Sequence, residues 1–216
     1  YGTYLKGKLS FGSLDPLIFT DSKEPFRLPD MDVAIEDGRG LIESEYGAAG
    51  IRLEGRGNLR SGFASQLAAS APGLAYGDCG VERLTAYGRL SVSSERPRFN
   101  GPVRLAGLAC KKTGLKLVDA AIAVEITANS DLNEVKGSLS PKASGLSWQD
   151  YRLAGLGGNL GFTWRAEKLQ AKYKLAASEV ETPQLRAPRI ALTGQLRAVD
   201  GFSQVDLQSA ISGTVA

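Results

Sequence analysis

Histidine is absent from the 216-residue chain, and methionine occurs once. The lack of histidine excludes a Ser-His-Asp or Cys-His catalytic arrangement within the chain, and it removes the commonest acid–base catalyst and metal ligand. Composition alone leaves Ser-Lys and paired-carboxylate chemistry open. We therefore expect no enzyme activity, no cofactor and no metal site.

Long apolar runs are also missing. No stretch approaches the ~18 apolar residues of a membrane helix, and the chain does not open like a signal peptide. Tyr1–Phe11 has a strand pattern from the outset, and Ile211–Val215 has one that stops without a closing element. We expect residues 1–216 to form a single segment of a longer chain, with any targeting or anchoring segment outside it.

The charges show no strong bias of either sign. Lys and Arg number 26 against 23 Asp and Glu, and the two signs are interspersed along the chain. Because nucleic-acid binding needs a basic patch or stripe, this distribution predicts no nucleic-acid partner.

Alternation of apolar and polar residues is the dominant pattern, and it predicts strands. Turn signals at Asp37–Gly38, Arg96–Pro97 and Asp200–Gly201 favour sequential hairpins. The expected fold is all-β, a long antiparallel meander with little helix. Two loop excursions are expected, near residues 12–30, with one helical turn near Ser13–Leu17, and near residues 140–150. Alternation is clearest in Ile51–Leu59, Leu84–Val92, Phe99–Leu105, Leu169–Leu175 and Ile190–Leu196.

Glycine, with 26 residues, falls repeatedly on the apolar side of these strands. An interior glycine costs about 0.5–1 kcal/mol relative to alanine, so a compensating role is expected. One interpretation is that the glycines permit bulges and strong coiling of a curved sheet. The other is that they make room for a guest on the inner face of a U-shaped sheet. The glycines concerned are Gly55, Gly88, Gly101, Gly137 and Gly194.

The two cysteines, Cys79 and Cys110, flank the hairpin of Leu84–Val92 and Phe99–Leu105. A turn near Glu95–Pro97 sets a register that brings position 79 opposite position 110, within the ~4.4–6.8 Å Cα separation of a disulfide. A disulfide indicates an oxidising compartment such as the bacterial periplasm or the cell exterior. The alternative is a pair of buried thiols.

Two other clusters are weaker candidates for chemistry. The carboxylates of residues 30–45 alternate with apolar residues like the wet side of a hairpin, and a Ca²⁺ site or an acid pair is the alternative interpretation. Gly155–Gly161 resembles a phosphate loop, but the alternating Phe162–Trp164 follows it where a helix is required. We interpret this segment as a β-turn or bulge. The carboxylates are Asp30, Asp32, Glu36, Asp37, Glu43 and Glu45.

Four segments resemble a known family, the periplasmic AsmA-like proteins, and most closely their YdbH-type members. They are Ser13–Asp21, Pro25–Asp30, Ile51–Gly62 and Pro97–Cys110, which cover roughly the first half of the chain. The resemblance implies a β-trough in the periplasm of a Gram-negative bacterium, with the full-length protein anchored in the inner membrane and reaching toward the outer membrane. It also implies non-enzymatic phospholipid transport through an apolar groove.

On that view the partners are phospholipid acyl chains, and the inward alternating residues line the groove. The rival hypothesis is a structural or docking β-domain that supports other envelope proteins, as TamB-like relatives are thought to assist outer-membrane protein assembly. The two differ in whether the apolar face is open or packed shut. The expected lining residues are Leu5, Leu9, Ile51, Leu53, Leu90, Val103, Leu105, Ile122, Val124, Leu139, Leu175, Leu192 and Leu196.

Overall fold

The structure is a computed structural model that describes residues 2–5, 8–10, 27–131, 133–199 and 203–214. Nearly all of these residues lie in strands, and the described part contains no helix. The strands are β1 (Gly2–Leu5), β2 (Lys8–Ser10), β3 (Asp32–Ser44), β4 (Gly47–Asn58), β5 (Ala64–Tyr76), β6 (Cys79–Ser93), β7 (Arg96–Cys110), β8 (Leu115–Ala128), β9 (Glu134–Trp148), β10 (Tyr151–Arg165), β11 (Lys168–Glu181), β12 (Arg186–Val199) and β13 (Gln204–Thr214).

All thirteen strands belong to one sheet. From β3 to β13 each strand pairs antiparallel with the next one in the chain, as a meander requires. Strand β1 departs from this rule, since it runs parallel to β3 with Gly2 opposite Ile42. The expected all-β meander, an open curved sheet, is confirmed, although the placement of β1 was not predicted.

Residues 140–148, predicted as part of a loop, instead continue strand β9, and only residues 149–150 form a turn. Pro141 is unexpected inside a strand, because proline cannot donate a backbone hydrogen bond to a ladder. Pro141 pairs with Ile122 on β8, while the ladder to β10 is interrupted opposite Gly158. A proline is tolerated in a strand at such an interruption.

Two further local predictions differ from the structure. Asp37–Gly38 is not a turn but a β-bulge inside β3, where the register to β4 shifts between Ile35 and Gly38. Asp37 has a φ of 49°. This left-handed conformation, which an Asp-Gly pair adopts in a tight turn, here forms part of a β-bulge. The predicted helical turn at 13–17 and most of the loop over 12–30 lie outside the described residues, as do Asp200 and Gly201.

The sheet has an apolar face and a polar face, which we name the inner face and the outer face. On β4, Ile51 and Leu53 lie on the inner face and are half-buried, while Arg52 and Glu54 are exposed on the outer face. Most buried residues are small, such as Ala71 and Ala198, and no side chain in the described part is fully buried. A second layer packed on the inner face would bury its large side chains, so the described strands form a single layer.

In each of strands β5–β12, two consecutive outward residues interrupt the alternation of inward and outward side chains. These pairs of residues lie side by side across the sheet. The backbone at Arg83, Asp119 and Glu179 has φ values of 44–48°, which turns the strand and reverses its alternation. Beyond this corner row the inner face continues with Val81, Leu108 and their neighbours. The corner row consists of Pro72–Gly73, Glu82–Arg83, Ala106–Gly107, Val118–Asp119, Ser144–Gly145, Ala154–Gly155, Ser178–Glu179 and Pro188–Arg189.

Glycines on the two faces have very different surroundings. A Cβ at Gly137 would lie 2.1 Å from the Glu125 carbonyl oxygen, and one at Gly88 would lie 2.4 Å from the Asn100 carbonyl oxygen. On the outer face, a Cβ at Gly161 would meet nothing within 4 Å. The inner face is therefore tightly concave at these glycines, which favours their interpretation as positions where the sheet bends.

This difference predicts opposite effects of two alanine substitutions on adjacent strands. Gly137→Ala forces a Cβ against backbone and is expected to destabilise the fold by about 1–3 kcal/mol. Gly161→Ala is unobstructed and is expected to stabilise the fold by about 0.4–1 kcal/mol through the unfolded chain. Urea denaturation of both variants measures the two effects. Equal midpoints would contradict the proposed curvature.

Candidate functional site

The inner face forms a continuous apolar surface from β3 to β13. Cross-strand register places the residues of neighbouring strands in rows, and one row runs from Leu53 through Leu67, Gly88 and Gly101 to Val124. The predicted residues that the structure places on this face are Ile51, Leu53, Leu90, Val103, Leu105, Ile122, Val124, Leu139, Leu175, Leu192 and Leu196, with Gly55, Gly88, Gly101, Gly137 and Gly194 among them.

One predicted lining residue falls on the outer face. Gly2 is the register partner of the inward residue Ile42, so Leu5, three residues further on, lies on the outer face, where it is 55% exposed. Leu9 pairs with Tyr4 in the backbone ladder, and its side chain lies outside the described part of the chain. The register of β1 against β3, with Gly2 opposite Ile42, sets the face of Leu5.

A second apolar row lies beyond the corner row and was not predicted from the sequence. The available signal was a polar pair between two apolar residues, as in Val81-Glu82-Arg83-Leu84, which breaks the period of two. The missed row consists of Leu74, Val81, Leu108, Leu117, Leu146, Leu153, Val180 and Ala187.

No charged residue occupies the inner face of strands β3–β13 as described. Its polar groups are few and paired: the Ser65 hydroxyl donates to the Leu90 carbonyl at 3.2 Å, and the Tyr173 and Ser209 hydroxyls are hydrogen-bonded to each other. The face extends onto the edge strand β13, where Leu207 and Ile211 are exposed. Such a face can hold apolar chains by burial.

Cys79 and Cys110 form a disulfide between directly opposed residues of β6 and β7, as the hairpin register predicted. Their Cα atoms are 3.9 Å apart, closer than the expected range. The Lys111 N–H donates to the Asp78 carbonyl, so the cysteines occupy a non-hydrogen-bonded pair, the kind that brings side chains closest together. The disulfide ties the two strands at one end of the sheet.

The outer face carries the charged side chains. Asp37 accepts hydrogen bonds from Arg39 and forms ion pairs with both Arg39 and Arg52. The hydrogen bond from Arg39 is the main cause that lowers the pKa of the Asp37 carboxyl below its usual value. Among the described residues no group of three or more candidate metal ligands occurs, and no helix is long and apolar enough to cross a membrane.

The lowered pKa predicts a small pH dependence of stability. Asp37 contributes above its unfolded-state pKa, and the contribution disappears as pH falls through its lower folded-state pKa. Asp37→Asn keeps a residue that tolerates the left-handed backbone. We expect a slightly lower denaturation midpoint for this variant at pH 7, as measured in urea, and a difference that shrinks as the pH is lowered toward 2. A gap that persists at pH 2 would contradict the electrostatic origin.

A depression of about 570 Å³ lies on the outer face of strands β8–β12. Its lining includes Glu125, Lys136, Lys172 and Arg197 with several amide and hydroxyl side chains. A coiled sheet is locally concave on both faces, so concavity alone does not mark the functional face. The two faces differ instead in composition, since the inner face of the described strands is apolar and uncharged.

A family model described as YdbH-like, intermembrane phospholipid transport protein YdbH, matches residues 2–211. The chain belongs to this family. The match covers nearly the whole chain and confirms the resemblance noted in four short segments. The family is one of lipid transport proteins rather than enzymes. Comparisons with curated proteins and with solved structures give no match.

Proposed function

We propose that the inner face of this sheet holds phospholipid acyl chains while the lipids move between the inner and outer membranes. The observation that carries this proposal is the continuous apolar face, free of charged residues and left uncovered by the described strands. Membership of a family of intermembrane phospholipid transport proteins supports it. No covalent step and no cofactor is required.

The energetic need for such a face is large. At ~0.8 kcal/mol per buried CH₂, an acyl chain of roughly sixteen carbons costs on the order of 12 kcal/mol to expose to water. The rows of leucine, valine and isoleucine side chains replace that water along the path. Because no inward charge interrupts the rows in the described strands, a chain can pass from strand to strand without a polar barrier.

The geometry also gives the path a direction. Strands run around the curve of the trough, and their turns form its two rims, so the lipids move across the strands. The eleven strands β3–β13 at ~4.8 Å spacing give the inner face roughly 45–50 Å of path. Headgroups stay wet at the open mouth between the rims.

The disulfide supports a periplasmic location, because such bonds persist in oxidising compartments. The proposal includes an inner-membrane anchor in the full-length protein and contacts with both membranes, all provided by parts beyond this chain. The proposed partners at its ends include envelope proteins.

Photo-crosslinking in cells tests the proposal. A photoreactive amino acid replaces Leu53, Leu90 or Leu192 on the inner face, and mass spectrometry detects lipid adducts. The matched controls are the adjacent outward residues Arg52, Arg89 and Thr193. Phospholipid adducts at the inward positions alone are expected. Adducts at neither set, in folded and disulfide-bonded protein, would overturn the proposal and favour a packed structural or docking domain.

A further inference from the structure

Four aromatic side chains, three of them exposed and one half-buried, collect at one end of the strands. We name this end the aromatic rim and define it by the turns at residues 45–46, 77–78, 111–114 and 149–150 and the connection at 182–185. It lies beyond the corner row, at the edge of the inner face. The strand-end residues that give it its name are Tyr46, Tyr76, Trp148 and Tyr151.

The aromatic residues form two pairs along this rim. The rings of Tyr46 and Tyr76 lie 5.4 Å apart and are tilted by 52°, and those of Trp148 and Tyr151 are stacked at 5.6 Å. Tyr76 is 73% exposed, Trp148 46% and Tyr151 40%. Large aromatic surfaces with a polar tip favour boundaries between apolar and aqueous surroundings.

Two lysines stand between the aromatic pairs. Lys111 and Lys112 occupy the turn from β7 to β8 and are exposed. Their backbone N–H groups donate to the carbonyl and the carboxylate of Asp78, which fixes the turn. Neither ammonium group forms an ion pair with the residues described. Both are therefore available to an anionic group at the mouth of the trough.

The opposite rim, with turns at residues 59–62, 94–95 and 166–167, is built differently. Arg60 lies in ion pairs with Asp30 and Glu95, and Arg165 pairs with Glu134. No exposed aromatic ring occurs there among the described residues. Among the described residues this rim is charged and exposes the Met31 side chain but no aromatic ring, so an aromatic preference predicts binding at one rim, whereas charge alone predicts binding at both.

We infer that the aromatic rim contacts the phosphate-containing headgroups of the phospholipids whose chains occupy the inner face. This inference rests on the proposed function. The aromatic rings contact the glycerol region of the lipid, and the ammonium groups of Lys111 and Lys112 bind its phosphate. The lipids are thereby held in one orientation, with their headgroups leaning to one side of the mouth.

The test determines which part of the lipid reacts at each position of the full-length protein in cells. A photoreactive amino acid replaces Tyr76 or Trp148 on the aromatic rim, and Ser94 or Glu167 on the opposite rim. Tyr87, an exposed aromatic residue of the outer face, is the matched control. Alkaline hydrolysis of each adduct then leaves either a fatty acid or a glycerophosphate headgroup attached to the protein.

We expect headgroup-linked adducts at Tyr76 and Trp148 in roughly tenfold excess over Ser94, Glu167 and Tyr87, the ratio that one or two aromatic contacts give. Equal headgroup adducts at both rims, or none at the aromatic rim, would overturn the inference. The proposed function is judged separately by fatty-acid adducts at inward positions, so acyl adducts inside with no rim preference refute the rim alone.

Discussion

Val124→Glu is expected to abolish most phospholipid transport while leaving the protein folded. Val124 lies on the inner face of β8 and is half-buried, so a carboxylate there reaches water in the empty trough. An acyl chain that passes this position must either desolvate the carboxylate or lose its contact with the apolar side chains of the inner face. An added barrier of about 2–3 kcal/mol slows passage roughly 30- to 150-fold.

Ala123→Glu is the matched control, because it adds the same charge one residue away on the outer face, where Ala123 is exposed. Its direct cross-strand neighbours, Pro102 and Ser140, are uncharged. Arrival of labelled phospholipid at the outer membrane, in cells that depend on this protein, measures both variants at matched protein levels. Equal transport by the two would contradict the account.

Loss of the disulfide is expected to cause the largest change in stability. Cys79 and Cys110 are 31 residues apart in sequence, and a bond closing a loop of this size stabilises a fold by about 2–4 kcal/mol. Replacing both by alanine avoids leaving a lone thiol. We expect urea denaturation to show a lower free energy of unfolding by that amount.

A reductant provides the control for this variant. It should lower the stability of the parent protein toward that of the double alanine variant and leave the variant itself unchanged. A difference below about 1 kcal/mol between the two proteins would show that strand pairing alone holds this end of the sheet.

The fold could be predicted from sequence because a period of two specifies both strand and face. Ile51 to Gly57 alternates cleanly, so the predicted face is correct over this part of β4. The hairpin register of β6 and β7 followed from one turn and placed the cysteines opposite each other. Where alternation is regular, local sequence and global register agree.

The remainder depends on backbone conformations that residue type does not reveal. Arg83, Asp119 and Glu179 adopt left-handed φ values although none is glycine. The alternation of apolar and polar residues therefore could not predict the corner row. The parallel placement of β1 beside β3 depends on a crossover that no local pattern encodes, and its register places Leu5 on the outer face.

The glycines show what a pattern can and cannot establish. Their recurrence on the apolar face was plain from sequence, but curvature and room for a guest predicted the same positions. The close approach of backbone to Gly88, Gly101 and Gly137 favours curvature. The same bending produces the concave face, so the two roles are linked through the shape of the sheet.

Cryo-electron microscopy of the full-length protein in lipid nanodiscs tests the central claim most directly. The account predicts elongated, non-protein density along the inner face, in contact with Val124, Leu139 and Leu160, with density for headgroups at the mouth. A protein segment packed over these side chains, leaving no space for an acyl chain, would contradict it.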